Sequence, residues 1–115
     1  MVLWIGFDLQ AVIEAGDGNN WTALHLAAWK CKEAVAAQLL QAGASVSAVD
    51  DDGSTPLHTA ALHGKSSIAN LLLQANASPT AVNKYGYTPA QWAKHGGQGD
   101  LAAMLLEAEQ AAALK

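Results

Sequence analysis

The chain has 115 residues, of which 51% are apolar and only 14% are charged. This composition suits one folded domain and excludes a chain that is disordered throughout. The formal net charge is −4, with six lysines and no arginine. It argues against a nucleic-acid or anionic-membrane partner, because such surfaces need clustered basic side chains. The single cysteine, Cys31, excludes an intramolecular disulfide and predicts a reducing, cytoplasmic location.

The N-terminal segment is apolar, MVLWIGF at residues 1–7, and an amphipathic stretch, DLQAVIEAG, follows at residues 8–16. The apolar part is too short to span a membrane, and no basic region precedes it as in a secretory signal. We interpret residues 1–16 as an N-terminal segment with a capping helix, and Trp4 as a cover for that end. Two alternatives stay open: the chain is a structural spacer within a longer array, or it self-associates through the apolar segment.

From residue 17 onward the sequence repeats every 33 residues, with matching threonines at Thr22, Thr55 and Thr88. Each copy contains a polar turn and two stretches with helical periodicity. The predicted units are residues 17–49, 50–82 and 83–115. A fixed period of this length predicts an all-α repeat solenoid, because one such unit cannot bury its apolar face without a neighbour.

Capping and turn residues mark the limits of the predicted helices. Thr55 is a good N-cap, and Pro56 then occupies the first helical position, where its missing N–H costs nothing. Glycine or asparagine closes the second helices and shapes the turns, where a left-handed backbone is expected. These closing and turn residues are Gly43, Asn76, Gly53, Gly86 and Asn20. Asp17, Asp50 and Asn83 share one position, where a short side chain accepts hydrogen bonds from the turn backbone.

These motifs resemble the ankyrin repeat over residues 17–115. The family motif T-P-L-H-x-A appears as TPLHTA at residues 55–60 and as TALHLA at 22–27, whereas TPAQWA at 88–93 lacks the Leu and the His. The resemblance implies a single domain, residues 1–115, built as a stack of helix-turn-helix units with β-turn or hairpin-like tips. Lys94 stands where the other copies carry alanine, which suits an open end face. We therefore expect the third unit to be a C-terminal cap, with Trp92 filling the volume that Ala90 gives up.

Three short motifs that suggest an enzyme or a calcium site each lack a required residue. Gly64-Lys65-Ser66 matches the end of a phosphate-binding loop, but Thr59 stands where the first glycine belongs and no strand precedes it. GGQG at residues 96–99 lacks the final glycine of a dinucleotide motif, and we interpret it as a long flexible link. An EF-hand loop starting at Asp50 would need a carboxylate at residue 61, which is alanine. We predict no catalytic site and no cofactor.

The histidines do not predict a metal site. His25 and His58 occupy the same position in adjacent units, so we expect them to be about 10 Å apart, one helix packing distance. That is too far for two ligands of one ion. We interpret both as structural residues that bond turn backbone or the threonine hydroxyl of their own unit.

The resemblance implies that a partner binds at the turn tips and on the exposed inner face of the first helices. Carried over position by position, this surface includes Gly18 and Asn19 together with twelve residues that we predict as partner contacts. These are Trp21, Trp29, Lys30, Asp51, Asp52, Ser54, Leu62, His63, Lys84, Tyr85, Tyr87 and His95. Large aromatic side chains on an exposed strip are the types that anchor protein interfaces. The alternative is that Trp21 and Trp29 pack on each other and only cover the first unit.

The sequence therefore predicts a non-catalytic module for protein–protein interaction, monomeric rather than oligomeric. Asp51 and Asp52 favour a partner with a basic patch, although exposed charges mainly tune the association rate.

Overall fold

The computed structural model describes residues 21–113 of the chain. Within this range the chain forms six helices and no strand. They are α1 (Ala23–Lys30), α2 (Glu33–Gln41), α3 (Pro56–Leu62), α4 (Ser66–Gln74), α5 (Pro89–His95) and α6 (Gly99–Ala113). The helices form three consecutive pairs, as the 33-residue period predicts, and the all-α repeat fold is confirmed.

The three pairs stack side by side. α3 packs between α1 and α5, and α2 packs on α4. Alanines at equivalent places in the first helices, Ala28 and Ala61, are fully buried, because such small side chains allow close approach of the next helix. The larger core side chains come from both helices of the first two units and from α6 of the third. Those that are at most 1% exposed are Leu24, Leu39, Leu57, Ile68, Leu72 and Leu105.

Each first helix begins with a reciprocal cap. In the middle unit, the Thr55 hydroxyl accepts from the amide of His58 at 3.3 Å, and the Thr55 amide donates to His58 Nδ1 at 3.2 Å. This pairing satisfies donors that the first helical turn cannot bond internally. Gln91 replaces the histidine in the third unit, and its Oε1 accepts from the Thr88 amide at 3.0 Å. The predicted N-cap role of threonine is confirmed.

Left-handed residues separate the two helices of each unit. Gly64 and Gly97 have φ of +72° and +78°, and Cys31 adopts +56° at the equivalent position. The link before α6 is residues 96–98, the same length as residues 63–65 in the middle unit. The expectation of a long link at GGQG is therefore wrong, because Gly99 already belongs to α6.

Strain at Cys31 gives a first testable expectation. A β-carbon in the left-handed region costs about 1–2 kcal/mol, and the chain uses glycine at the two matching positions. The Cys31→Gly variant should be about 1 kcal/mol more stable than the Cys31→Ala variant, which also lacks the thiol but keeps the β-carbon. Urea denaturation of the two variants measures this difference. Equal stabilities would show that the backbone at residue 31 relaxes without cost.

The open side of the third unit carries the predicted charge. Lys94 is exposed, whereas its counterparts Ala28 and Ala61 are fully buried under the next unit. The assignment of the third unit as a C-terminal cap stays a prediction. Residues 1–20 lie outside the described range, and with them the predictions for Trp4, Asp17, Gly18, Asn19, Asn20 and the capping helix.

Candidate functional site

The second and third tips are tight turns built around one side chain each. Asp50 Oδ1 accepts from the amides of Asp52 at 2.8 Å and Ser54 at 3.0 Å. Asn83 Oδ1 does the same for the amides of Tyr85 and Tyr87, at 3.0 and 3.1 Å. The predicted role of a short acceptor at this position is confirmed. The Lys84 amide also donates to the Asp52 carbonyl at 2.9 Å, which ties the two tips together.

Buried histidines connect each unit to the next tip. His25 Nε2 donates to the Ser54 carbonyl and His58 Nε2 donates to the Tyr87 carbonyl, each at 2.8 Å. The other ring nitrogen accepts from the threonine amide of its own unit, which fixes the neutral form with the proton on Nε2. The structural interpretation of these histidines is confirmed, and their bonds also reach the following unit. In residues 21–113 no three metal-binding side chains cluster.

The two tryptophans of the first unit touch each other. Trp21 and Trp29 meet edge to face, with ring centroids 5.7 Å apart, and the ammonium group of Lys30 lies 5.6 Å from the centroid of the Trp29 ring. Trp29 is nevertheless 44% exposed. The pair therefore combines the packing that we considered as an alternative with a large accessible aromatic surface.

An aromatic cluster covers the same side of the third unit. It consists of Tyr85 and Tyr87 from the tip and Trp92 and His95 from α5. The Trp92 ring lies 5.9 Å from Tyr85 and 5.2 Å from both Tyr87 and His95, centroid to centroid. It is almost parallel to the His95 ring, with 8° between the planes. Tyr85 remains 53% exposed, so the cluster presents a broad ring surface to solvent.

A central cavity of about 230 Å³ lies between the tryptophan pair and the aromatic cluster. All three units contribute to its lining, so this side of the stack is concave. The lining residues are Trp21, Asp50, Asp51, Asp52, Ser54, Thr59, Leu62, His63 and Trp92. Three of the nine are aspartates, and the cavity is therefore acidic.

The charges around the cavity are partly compensated. Lys84 Nζ lies 3.4 Å from Asp52 Oδ1, and the Tyr85 hydroxyl donates to the same oxygen at 3.1 Å. The bond to Asp52 raises the pKa of Lys84. Partial burial, together with the nearby charge of Lys65, lowers the pKa of His63 below its ordinary value. Lys84 and Tyr85 thus both engage the same carboxylate, that of Asp52.

The structure brings most predicted contact residues onto one side, with one correction. Ser54 is 4% exposed, and its hydroxyl accepts from Asn83 Nδ2 at 3.3 Å. The prediction of Ser54 as an exposed contact is wrong, because the following tip packs over it. Trp29, Lys30, Asp51, His63, Lys84, Tyr85 and His95 are exposed, whereas Trp21, Asp52, Leu62 and Tyr87 are half-buried.

Sequence reasoning missed Trp92 as a surface residue. We expected its ring to fill space near Ala90, but it lies among the rings of the aromatic cluster and lines the central cavity. The sequence held no signal for this placement, because the counterparts of Trp92 differ in exposure, 37% for Leu26 and 4% for Thr59. We define the inner face as the tryptophan pair, the central cavity and the aromatic cluster.

The Gly-Lys-Ser segment has no free cradle for a phosphate. The amides of Gly64 and Lys65 donate to the carbonyls of Ala61 and Ala60, at 3.3 and 2.8 Å. These bonds end α3, so Gly64 is a helix stop, as predicted. Of the helices in residues 21–113, none combines the length and the hydropathy that crossing a membrane requires.

A comparison with protein families adds an independent finding. The family model described as ankyrin repeats (3 copies) matches residues 24–114, most of the chain. No curated protein matches the chain.

Proposed function

Because the chain belongs to the ankyrin repeat family, we propose that it binds another protein through the inner face. Ankyrin repeats are generally modules for protein–protein interaction, and domains of this type are typically not enzymes. The single observation that carries the proposal is a row of side chains in which aromatic rings of the first and third units flank an acidic cavity at the tip of the second unit. Partner identity would then depend on the side chains of this row.

The aromatic residues support a role as anchors. Tryptophan and tyrosine are enriched among residues that dominate binding energy, because their large rings bury much area and lose little conformational freedom. Trp29 and Tyr85 expose 44% and 53% of their surface, although the chain has a buried core available for apolar side chains. The acidic cavity between the two ring surfaces favours a partner with a basic patch.

A comparative capture experiment tests this proposal. The parent chain and a Trp29→Ala/Tyr87→Ala double variant are each immobilised and exposed to a cell lysate. The proteins that each one retains are identified by mass spectrometry. A matched control, Val82→Ala/Leu106→Ala, removes two side chains that are exposed by 59% and 46% outside the inner face. We expect the double variant to lose proteins that both the parent and the control retain.

Affinity for a captured partner gives the magnitude. Trp29→Ala alone should weaken binding by more than about 1 kcal/mol, with little change in the melting temperature. Equal partner sets for the parent and the inner-face variant would contradict the proposal. A large loss of thermal stability in Trp29→Ala would instead identify Trp29 as a covering residue.

A further inference from the structure

We propose that the central cavity binds a single arginine side chain from an extended segment of the partner. This inference rests on the proposed function and names the partner chemistry that the cavity recognises. Its size is the first argument. Sites for small molecules and cofactors measure about 300–1,000 Å³, whereas the cavity measures about 230 Å³. A space of this size at the centre of a protein-binding face fits one long side chain.

The aromatic part of the lining is the second argument. Two indoles line the cavity, Trp21 from the first unit and Trp92 from the third. Trp21 is held by its Nε1, which donates to Asp50 Oδ2 at 2.9 Å, and Trp92 is held by its ring contacts with Tyr87 and His95. Tryptophan is the best aromatic partner for a cation. The guanidinium group of arginine stacks on aromatic rings and also forms a cation–π interaction with the ring face.

Charge is the third argument. The tip of the second unit places Asp50, Asp51 and Asp52 at the cavity, and Lys84 at its rim compensates one of them through Asp52. Three carboxylates at one cavity are complementary to a cation. A planar guanidinium group presents several N–H donors to carboxylates while it stacks on a ring, which the ammonium group of lysine cannot do.

The chain itself does not supply this side chain. It contains no arginine, and residues 1–20, which precede the described range, contain neither lysine nor arginine. An arginine in the cavity therefore lies outside these 115 residues. Extended peptides present single side chains without the steric bulk of a folded surface, so such a segment is the expected occupant.

Solution NMR tests the proposal with a defined probe. The probe is acetyl-Gly-Gly-Arg-Gly-Gly-amide, and the reporters are the indole N–H signals of the four tryptophans in 15N-labelled chain. We expect saturable shifts of the Trp21 and Trp92 signals that exceed the shift of the Trp29 signal, because Trp29 does not line the cavity and touches it only through Trp21. The peptide with lysine should bind at least about fivefold more weakly, and the peptide with uncharged citrulline should cause no shift.

Matched variants locate the site. Trp92→Leu, which introduces the residue that the first unit carries at this position, should weaken binding of the arginine peptide about fivefold or more. Asp52→Asn should also weaken it, whereas Val82→Ala, which removes a side chain that is 59% exposed outside the inner face, should leave it unchanged. Absence of saturable shifts, equal binding of the arginine, lysine and citrulline peptides, or an equal loss in Val82→Ala would each overturn the arginine assignment.

The outcome separates this inference from the proposed function. If the arginine peptide does not bind but protein capture still depends on Trp29 and Tyr87, the arginine site is wrong and the inner face remains the proposed binding surface. If the peptide binds but the inner-face variant captures the same proteins as the parent, the cavity site stands and the broader proposal falls.

Discussion

Replacing His58 with alanine is expected to lower the free energy of unfolding by about 2–4 kcal/mol. The imidazole is fully buried and bonds the Thr55 amide and the Tyr87 carbonyl, at 3.2 and 2.8 Å. Alanine removes both bonds and leaves a cavity beside two buried polar groups. Urea denaturation monitored by circular dichroism measures the loss, and a change below about 0.5 kcal/mol would contradict the structural role.

His58→Gln is the matched control, because the chain itself carries Gln91 at the equivalent place. Glutamine there keeps the cap, with Oε1 accepting from the Thr88 amide at 3.0 Å. His58→Gln should therefore cost less than His58→Ala, since only the bond to the next tip and some packing are lost. Equal losses in the two variants would show that the cap contributes nothing at this position.

The same histidine makes stability depend on pH. Burial is the main reason that the pKa of His58 lies below its ordinary value of 6.5, and His25 acts in the same direction, while the bond to Tyr87 and the charge of Asp50 oppose the shift. The unfolded chain therefore binds a proton more readily than the folded chain. The contribution of neutral His58 to the free energy of unfolding is fully present above about pH 6.5 and decreases as the pH falls below that value.

Melting temperatures between about pH 8 and pH 5 should show this decrease, and His58→Gln should reduce it. A residual dependence is expected in the variant, because the pKa of His63 is also lowered. An identical pH profile for the parent and His58→Gln would contradict the assignment to His58.

Gly96→Ala is the second substitution with a large expected effect, a loss of about 1–3 kcal/mol. A β-carbon at residue 96 overlaps the carbonyl oxygen of Leu62, the last residue of α3. Neither backbone moves easily, because α3 is packed between α1 and α5. The glycine is required by this close approach rather than by its own dihedral angles, since its φ is −82°.

Gly99→Ala provides the control three residues away. A β-carbon at Gly99 meets no atom within 4 Å, and this residue begins α6. Alanine is the better helix former, so Gly99→Ala should be neutral or slightly stabilising. Thermal denaturation of the two variants side by side gives the comparison. A Gly96→Ala variant as stable as Gly99→Ala would mean that adjacent units separate slightly at no cost.

The repeat period and the capping residues made most of the fold predictable. Thr55 and Pro56 mark a helix start by local chemistry, and a 33-residue spacing then extends that assignment to the other units. Local chemistry does not show which tip residues are covered by the next unit. Ser54 is buried by Asn83, which is 29 positions away, and no pattern within one unit contains that contact.

Trp92 is a second residue whose surroundings could not be predicted from local chemistry, because it lies at the surface rather than in the core. A tryptophan in a helix that carries buried alanines suggests a core residue, since a large apolar ring is usually covered. Its place on the inner face depends on the tyrosines of its own tip, and only the folded turn brings these rings together. The partner-contact residues other than Ser54 stay predictions that the proposed experiments test.

The bond from His58 to the Tyr87 carbonyl also affects how much conformational entropy the chain loses when a partner binds. It fixes the backbone that carries two rings of the aromatic cluster, and it is made before any partner arrives. A surface already held in place loses little conformational freedom on association, so more of each contact appears as affinity. Conditions that protonate His58 should therefore weaken the binding of a partner before they unfold the chain.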